Sequence, residues 1–170
     1  MNRDELFKEA IKENDRLIFR ICYHFFGPGE NAKDAYQEIL LKIWLNIEGF
    51  RGESQIKTWI SRIAVNVCIT FRARTKKKSS LFVPFSEAVF NGNTGNEDIY
   101  ADDENKLLFF RSFMDRLNAS DRALVSLYLE DLDTKDISHI TGLSESNVRV
   151  RIHRIKNQIK REWELKYGTR

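Results

Sequence analysis

The chain has 170 residues, of which 42% are hydrophobic and 31% are charged, with a formal net charge of +3 at pH 7. This composition fits one compact domain or two small ones with a soluble surface. No apolar run approaches the length of a transmembrane helix. The charged start MNRDELFKEAIKEN lacks the apolar stretch of a signal peptide. We therefore expect a cytoplasmic protein without stable membrane insertion.

Residues that carry catalytic or metal chemistry are scattered along the chain. Cys22 and Cys68 stand singly on apolar stretches, and His139 and His153 have no cysteine or carboxylate partners at ligand spacing. We expect two reduced core thiols, no metal and no cofactor. An enzyme is the least favoured class of function, because the sequence offers no Ser/His/Asp set, phosphate loop or paired acids.

Charge is arranged in blocks. Residues 49–80 carry a net charge of +7 and residues 143–170 carry +5, whereas residues 81–103 carry −5 and contain no Lys or Arg. A single basic block is usually a solvated surface. Two basic blocks, each at the end of an amphipathic helix, favour a polyanionic partner.

The first part of the chain predicts helices in three segments. Apolar residues at helical spacing mark one or two amphipathic helices over 5–26, which end where Pro28 and its flanking glycines cannot continue a helix. Isoleucines at four-residue spacing predict the next helix over 32–47. The helix over 54–77 follows, with Ser54 as its candidate N-cap. The inward-facing residues of the last two helices are Ile39, Ile43, Ile47, Ile56, Ile60, Ile63 and Val67.

The second part of the chain begins with a change of composition. Residues 79–103 are rich in Gly, Asn, Ser and acid, which is typical of a linker, and apolar residues at helical spacing resume at Leu107. The predicted fold is all-α, with two small helical domains over 1–78 and 104–170 joined by a flexible linker over 79–103. The C-terminal domain is predicted to contain a helix-turn-helix.

The segment TKDISHITGLSESNVRVRIHRIK carries the helix-turn-helix pattern. Ile137 and Ile140 face inward on a short helix. Gly142 supplies the left-handed position of a tight corner, and Ser144 caps the next helix. A cationic helix that begins with short side chains suits the major groove of DNA, although a basic surface helix in a bundle is the alternative. The candidate DNA-reading residues are Ser144, Ser146, Asn147, Arg149, Val150, His153 and Arg154.

The order of these motifs resembles one known family. DAYQEILLKIW, then FRGESQIKTWISRIAVN, a basic end, an acidic linker and this helix-turn-helix are closely similar to bacterial sigma-70 proteins, above all the small extracytoplasmic-function (ECF) sigma factors. The resemblance implies a non-catalytic subunit that binds core RNA polymerase, directs it to specific promoters and helps to open promoter DNA. It also implies an anti-sigma factor as a partner. The alternative, a stand-alone helix-turn-helix regulator of duplex operator DNA, leaves residues 31–66 unexplained.

The resemblance also implies a role for the helix over 32–47. In the family, the helix that matches DAYQEILLKIW docks on the clamp helices of the largest polymerase subunit. Exposed leucines beside acidic residues suit such an interface, although a solvated helix that tolerates leucines is the alternative. Trp44 is expected in the core. The candidate polymerase-binding residues are Asp34, Gln37, Glu38, Leu41 and Leu45.

For residues 50–66, the resemblance implies recognition and opening of the minus-ten promoter element. A base of the non-template strand leaves the stack and enters a pocket formed by the loop FRGES and Asn66. Alternatively, Phe50 only plugs the loop, and Asn66 forms an internal hydrogen bond; Trp59 is expected in the core. The candidate minus-ten residues are Phe50, Arg51, Gly52, Glu53, Ser54, Arg62, Asn66, Arg72, Arg74 and Lys76.

The implied promoter geometry sets a length requirement. The minus-ten and minus-thirty-five elements lie about one and a half helical turns apart, on the order of 50 Å. A flexible coil of the length of the linker averages only about 25–30 Å between its ends. The two domains are therefore expected to bind both elements only when the linker is extended.

Overall fold

The computed structural model describes residues 2–79 and 100–168, and these residues form helices without a strand. The N-terminal bundle begins with a capping box, in which Asn2 Oδ1 accepts from the Glu5 backbone N–H at 2.9 Å and the Glu5 carboxylate accepts from the Asn2 backbone N–H. Its elements are α1 (Arg3–Phe26), α2 (Glu30–Asn46), a short 3-10 turn (Ile47–Gly49) and α3 (Ile56–Ser79).

The C-terminal bundle contains the predicted helix-turn-helix. Its elements are α4 (Tyr100–Arg116), α5 (Ala119–Leu129), α6 (Thr134–Thr141) and α7 (Glu145–Tyr167). Asn118 caps α5 and Asp133 caps α6, each through a side-chain oxygen that accepts a backbone N–H of the first turn. The all-α class is confirmed.

Some boundaries differ from those expected. The segment 5–26 forms one helix, α1, and α3 begins at Ile56, so that Gln55 rather than Ser54 precedes it. The helix α4 begins at Tyr100, within the stretch predicted as linker. Residues 80–99, on which the prediction of a flexible linker falls, lie outside the described residues.

The two bundles pack against each other. Their buried apolar residues form one continuous cluster, in which α5 and α6 lie against α1 and α3. The fully buried Arg122 of α5 donates from Nη1 to the Phe25 carbonyl at the end of α1, at 2.9 Å. The negative end of the α1 dipole favours a cation at this position. The sequence predicted two tethered bundles but not this interface.

Candidate nucleic-acid interface

The loop between the 3-10 turn and α3 is open at its tip. Gly52 adopts φ +72° with no atom near the position of a Cβ, and Arg51 and Glu53 beside it are exposed. Phe50 packs on Trp59, with the two ring centroids 5.3 Å apart, and both side chains are half-buried. The Phe50 ring therefore anchors the loop on α3, whereas the backbone and polar side chains around Gly52 face solvent.

Two further candidates extend this surface along α3. Arg62 and Asn66 are exposed and lie four residues apart, so they share one face of the helix. The Asn66 backbone carbonyl accepts from Thr70 Oγ1 at 2.9 Å, but its side-chain amide has no hydrogen bond within the described part of the chain. The amide is thus available to read the edge of a base, since it offers both a donor and an acceptor.

The cations at the end of α3 have different surroundings. Arg72 is only 15% exposed, donates to the Phe25 and Asp115 carbonyls at 3.2 Å each, and has its pKa lowered by burial. Arg74 and Lys76 are both exposed, and Arg74 pairs with Glu38 at 2.6 Å. In this arrangement Arg72 belongs to the interface between the bundles and is not a surface cation.

The predicted polymerase-binding residues share one face of α2. Leu41 is 56% exposed and Leu45 is 53% exposed. Asp34 and Gln37 are exposed beside them, and Glu38 is half-buried under Arg74. The inward isoleucines of this helix are buried as predicted: Ile39, Ile43 and Ile47.

Trp44 differs from its expected place in the core. It is half-buried at the surface, its Nε1 donates to Asp4 Oδ1 at 3.0 Å, and the Arg3 guanidinium lies 4.8 Å from the ring centroid. The acid accepts a hydrogen bond from the polar edge of the indole, and the cation lies over its π face, so both parts of the ring have a partner.

The turn between α6 and α7 orients α7, the reading helix, which carries the candidate DNA-reading residues. Gly142 ends α6 in the left-handed conformation (φ +74°, ψ 6°), and Ser144 caps α7 by accepting from the Asn147 backbone N–H at 3.2 Å. Val148 and Ile155 are buried under the helix. The opposite side of α7 therefore points to solvent.

That exposed side carries all of the candidate reading residues. Val150 is 65% exposed, Arg149 pairs with Glu145 at 2.9 Å, and His153 contacts the Asn157 amide. Arg154 is exposed and lies 3.5 Å from a carboxylate oxygen of Asp121. The remaining exposed candidates are Ser144, Ser146 and Asn147.

Sequence reasoning missed the residue that fixes this helix. Asp121 of α5 is buried, and its carboxylate accepts from Arg151 Nε at 2.9 Å and from the Asn118 side-chain amide at 2.8 Å. Arg151 therefore has a structural role, since its guanidinium ties α7 to α5. The sequence signal for Asp121 is only an acid in the first turn of a helix, which is common at any N-terminus.

The described residues hold no group of three or more His, Cys, Asp or Glu side chains placed to bind a metal ion. Within the same residues, no helix is both long enough and apolar enough to cross a lipid bilayer.

Two family models match the chain. Sigma-70 region 2 matches residues 10–78, and Sigma-70, region 4 matches residues 110–159. The matches coincide with the two bundles and together span well over half of the chain. The chain belongs to the sigma-70 family, and its relatives include ECF RNA polymerase sigma factors.

Similar proteins agree on this family. The ECF RNA polymerase sigma factor SigW of Bacillus subtilis (strain 168) is 28% identical, over 93% of this chain and 89% of SigW. The ECF RNA polymerase sigma factor SigG of Mycobacterium tuberculosis (strain ATCC 25618 / H37Rv) is 47% identical over 55 residues, which are 32% of this chain and 15% of the length of SigG. The sigma factor RpoE, solved in complex with the anti-sigma factor NepR from Bartonella quintana, shares the fold with a TM-score of 0.63 and 21% identity, over 95% of this chain and 99% of that chain.

Proposed function

We propose that this protein is an ECF sigma factor, which binds core RNA polymerase, directs it to specific promoters and helps to open promoter DNA. The observation that carries the proposal is the presence of two separate candidate nucleic-acid surfaces in one chain. One is the reading side of α7, which is exposed beyond a capped turn. The other is the loop 50–55 with Asn66 on a different bundle. Two surfaces suit two promoter elements.

In this proposal the C-terminal unit (104–170) recognises the minus-thirty-five element as duplex DNA. Arg149 and Arg154 are exposed and long enough to reach guanine edges in the major groove, and the exposed methyl groups of Val150 suit contact with a thymine methyl. Ser144, Ser146 and Asn147 are short polar residues at the N-terminus of α7, where backbone N–H groups and the helix dipole favour phosphate. His153 lies on the same side.

The N-terminal unit (1–78) recognises the minus-ten element as single-stranded DNA. Extruding a base from the duplex costs a few kcal/mol, so the protein must compensate with contacts that exist only for the extruded base. The open loop around Gly52 and the available amide of Asn66 offer such contacts. Arg62 and Lys76 add positive charge along the same helix for the phosphate backbone.

The exposed leucines of α2 favour polymerase binding over the alternative of a stand-alone regulator. Leu41 and Leu45 expose more than half of their surface, with Asp34 and Gln37 next to them. A regulator that only bound duplex operators would use α7 and leave this face without a role. We assign the face to the clamp helices of the polymerase, and an anti-sigma factor is a further proposed partner, since the related fold of RpoE was solved with one. The cytoplasm, where the polymerase acts, is the proposed location.

Run-off transcription with core polymerase over a randomised promoter library tests this function. We expect the protein to select templates that share two short elements at fixed spacing. The double variant Leu41→Ala/Leu45→Ala should lose capture by core polymerase, while Leu165→Ala, which removes an even more exposed leucine from α7, should not. Tight binding of duplex operator DNA by the protein alone, without any redirection of core polymerase, would show that it is a stand-alone regulator.

A further inference from the structure

A cavity of about 390 Å³ lies between the end of α1 and the helix α4. Two of the leucines that line it, Leu107 and Leu129, are exposed, so part of its rim is open to solvent. Small-molecule sites in proteins have this size and a mainly apolar lining. The apolar and aromatic side chains that line the cavity are those of Tyr23, Phe25, Leu107, Phe110, Met114 and Leu129.

A guanidinium without an ion pair lies on the wall of this cavity. Arg111 of α4 lies with its guanidinium carbon 5.5 Å from the ring centroid of Tyr23, and it forms no ion pair within the described residues. Gly27 leaves the space that this group occupies, because a Cβ there would lie only 1.1 Å from Arg111 Nη2. An arginine in this position has donors left for an anion that enters the cavity.

The acid on the same wall is already matched by cations. Asp115 lies one turn after Arg111 on α4, and its Oδ1 lies 3.8 Å from Arg72 Nη1 and 3.5 Å from Arg122 Nη1. Both of these guanidiniums also donate to the Phe25 carbonyl, at 3.2 Å and 2.9 Å. Three cations and one carboxylate therefore lie around this end of the cavity, and an anion there meets a net positive charge.

His24 adds a polar atom without a partner to the lining of the cavity. Its Nδ1 is buried and has no hydrogen bond among the described residues. The Glu130 carboxylate is 3.9 Å from this nitrogen and is bound by Arg20 at 2.7 Å. Buried polar atoms normally have a hydrogen-bond partner. A polar group bound beside His24 would supply the missing bond.

We propose that this cavity binds a small apolar carboxylate, whose hydrocarbon part lies among the aromatic and aliphatic side chains and whose carboxylate is bound by Arg111. A neutral molecule of the same shape gains the same burial but not the charge-assisted hydrogen bonds of the guanidinium. A short anion such as acetate gains those bonds but buries little apolar surface. The cavity is separate from the exposed sides of α2, α3 and α7, and binding there does not require the proposed sigma function.

Isothermal titration calorimetry of the full chain with octanoate, octanamide and acetate tests the site. Octanamide has the same chain length as octanoate and a neutral head group. We expect saturable binding of octanoate at one site per chain, octanamide binding that is about tenfold weaker, and no measurable binding of acetate. Absence of octanoate binding would overturn the site, and equal affinities for octanoate and octanamide would overturn the assignment of a carboxylate.

The variant Arg111→Gln tests the head group. It should weaken octanoate binding about tenfold and leave octanamide binding unchanged, because only the carboxylate uses the charge of the guanidinium. Arg116→Gln is the matched control, since it removes the same charge from α4, but Arg116 pairs with Glu162 and does not line the cavity. An equal loss of octanoate affinity in both variants would show an effect of net charge alone and would overturn the role of Arg111.

The variant Leu107→Trp tests the cavity itself. Because Leu107 is exposed on the rim, a larger side chain should block the cavity without strain in the core, and the affinities for octanoate and octanamide should both fall several-fold. Leu108→Trp is the control, since Leu108 is the neighbouring exposed leucine and does not line the cavity. Circular dichroism checks that both variants keep their helices. Equal octanoate affinities in the two variants would place binding elsewhere and overturn the proposal.

Light scattering distinguishes a small ligand from a second copy of the chain. If the cavity binds a small carboxylate, the wild-type protein and both tryptophan variants should have the same mass in solution. A wild-type dimer that Leu107→Trp abolishes and Leu108→Trp retains would show that a second copy covers the cavity, and would overturn the ligand site.

Discussion

At the scale of single residues, the backbone of Gly142 shows how one position sets the direction of the reading helix. Its φ of +74° belongs to the left-handed region, and its N–H donates to the Ser138 carbonyl at 2.9 Å. No atom lies within 4 Å of the position of a Cβ, so a side chain there meets no steric clash with a neighbour. The requirement for glycine is therefore purely conformational.

The variant Gly142→Ala should lower the free energy of unfolding by about 1–2 kcal/mol, because an L-residue in the left-handed region is strained. Urea unfolding measures this change. Gly49→Ala is the control, since Gly49 also has open space but no positive φ. Equal stability of both variants would contradict the conformational argument.

Asn66 supplies a prediction about promoter opening. Because its side-chain amide is exposed and has no partner among the described residues, Asn66→Ala should impair opening of a duplex promoter while largely sparing polymerase binding. Permanganate reactivity of unpaired thymines measures the opening, and a pre-melted promoter should restore activity. Loss of polymerase binding in this variant would instead indicate a structural role.

At the scale of elements, α7 has two sides with different functions. Val148 and Ile155 pack inward, Arg151 binds the buried Asp121, and the reading residues face solvent. The helical period alone predicts this division, since residues three and four apart share a face. It does not predict that the partner of Arg151 comes from α5.

Substitutions on the exposed side of α7 should change promoter choice with only a small change in stability. Arg149→Ala or Arg154→Ala should weaken recognition of the upstream element by about 1–3 kcal/mol if the residue reads a base. Run-off transcription from promoters with altered upstream elements measures the loss. Unchanged promoter use in both variants would place the reading surface elsewhere.

Substitution of the buried Asp121 should change the stability of the fold rather than promoter choice. Asp121→Ala should lower the free energy of unfolding by about 3 kcal/mol, because it leaves the half-buried Arg151 guanidinium without its carboxylate. Urea unfolding measures the change. Glu145→Ala removes an exposed ion pair with Arg149 and should cost a few tenths of a kcal/mol. A similar small loss for both variants would show that Asp121 does not fix the helix.

At the scale of the whole molecule, the interface between the bundles should respond to pH through His24. Burial lowers the pKa of His24 below its usual value of 6.5, the nearby Glu130 carboxylate partly opposes the shift, and Arg20 adds to it. Arg111 and Asp115 of α4 line the same cavity as His24. Because the unfolded state binds the proton more readily than the folded state, the contribution of His24 to stability is fully present above pH 6.5 and is lost as the pH falls below it.

The wild-type protein should therefore lose stability as the pH is lowered from about 7.5 to about 5.5, and His24→Gln should lose less. Urea unfolding across this range measures the difference between the two proteins. Parallel pH profiles would show that His24 does not contribute. The direction of this pH dependence distinguishes His24 from a histidine that gains a salt bridge on folding. The contribution of such a histidine to stability would be lost as the pH rises.

The sequence by itself determined the helices, their inward faces and the corner of the helix-turn-helix. These features depend on local rules, namely the helical period of Ile39 and Ile43 and the backbone freedom of Gly142. The family resemblance followed from the order of such motifs. It also assigned candidate roles to exposed residues such as Asn66, which remain predictions.

Only the tertiary structure decided how the two bundles meet. Arg20 and Glu130 are 110 positions apart, and nothing in either local sequence indicates that they form a buried pair. For the same reason Arg72, one of several cations at the end of α3, could not be recognised as an interface residue. Helical period reports which side of a helix is buried, but the partner on that side depends on the packing of the whole chain.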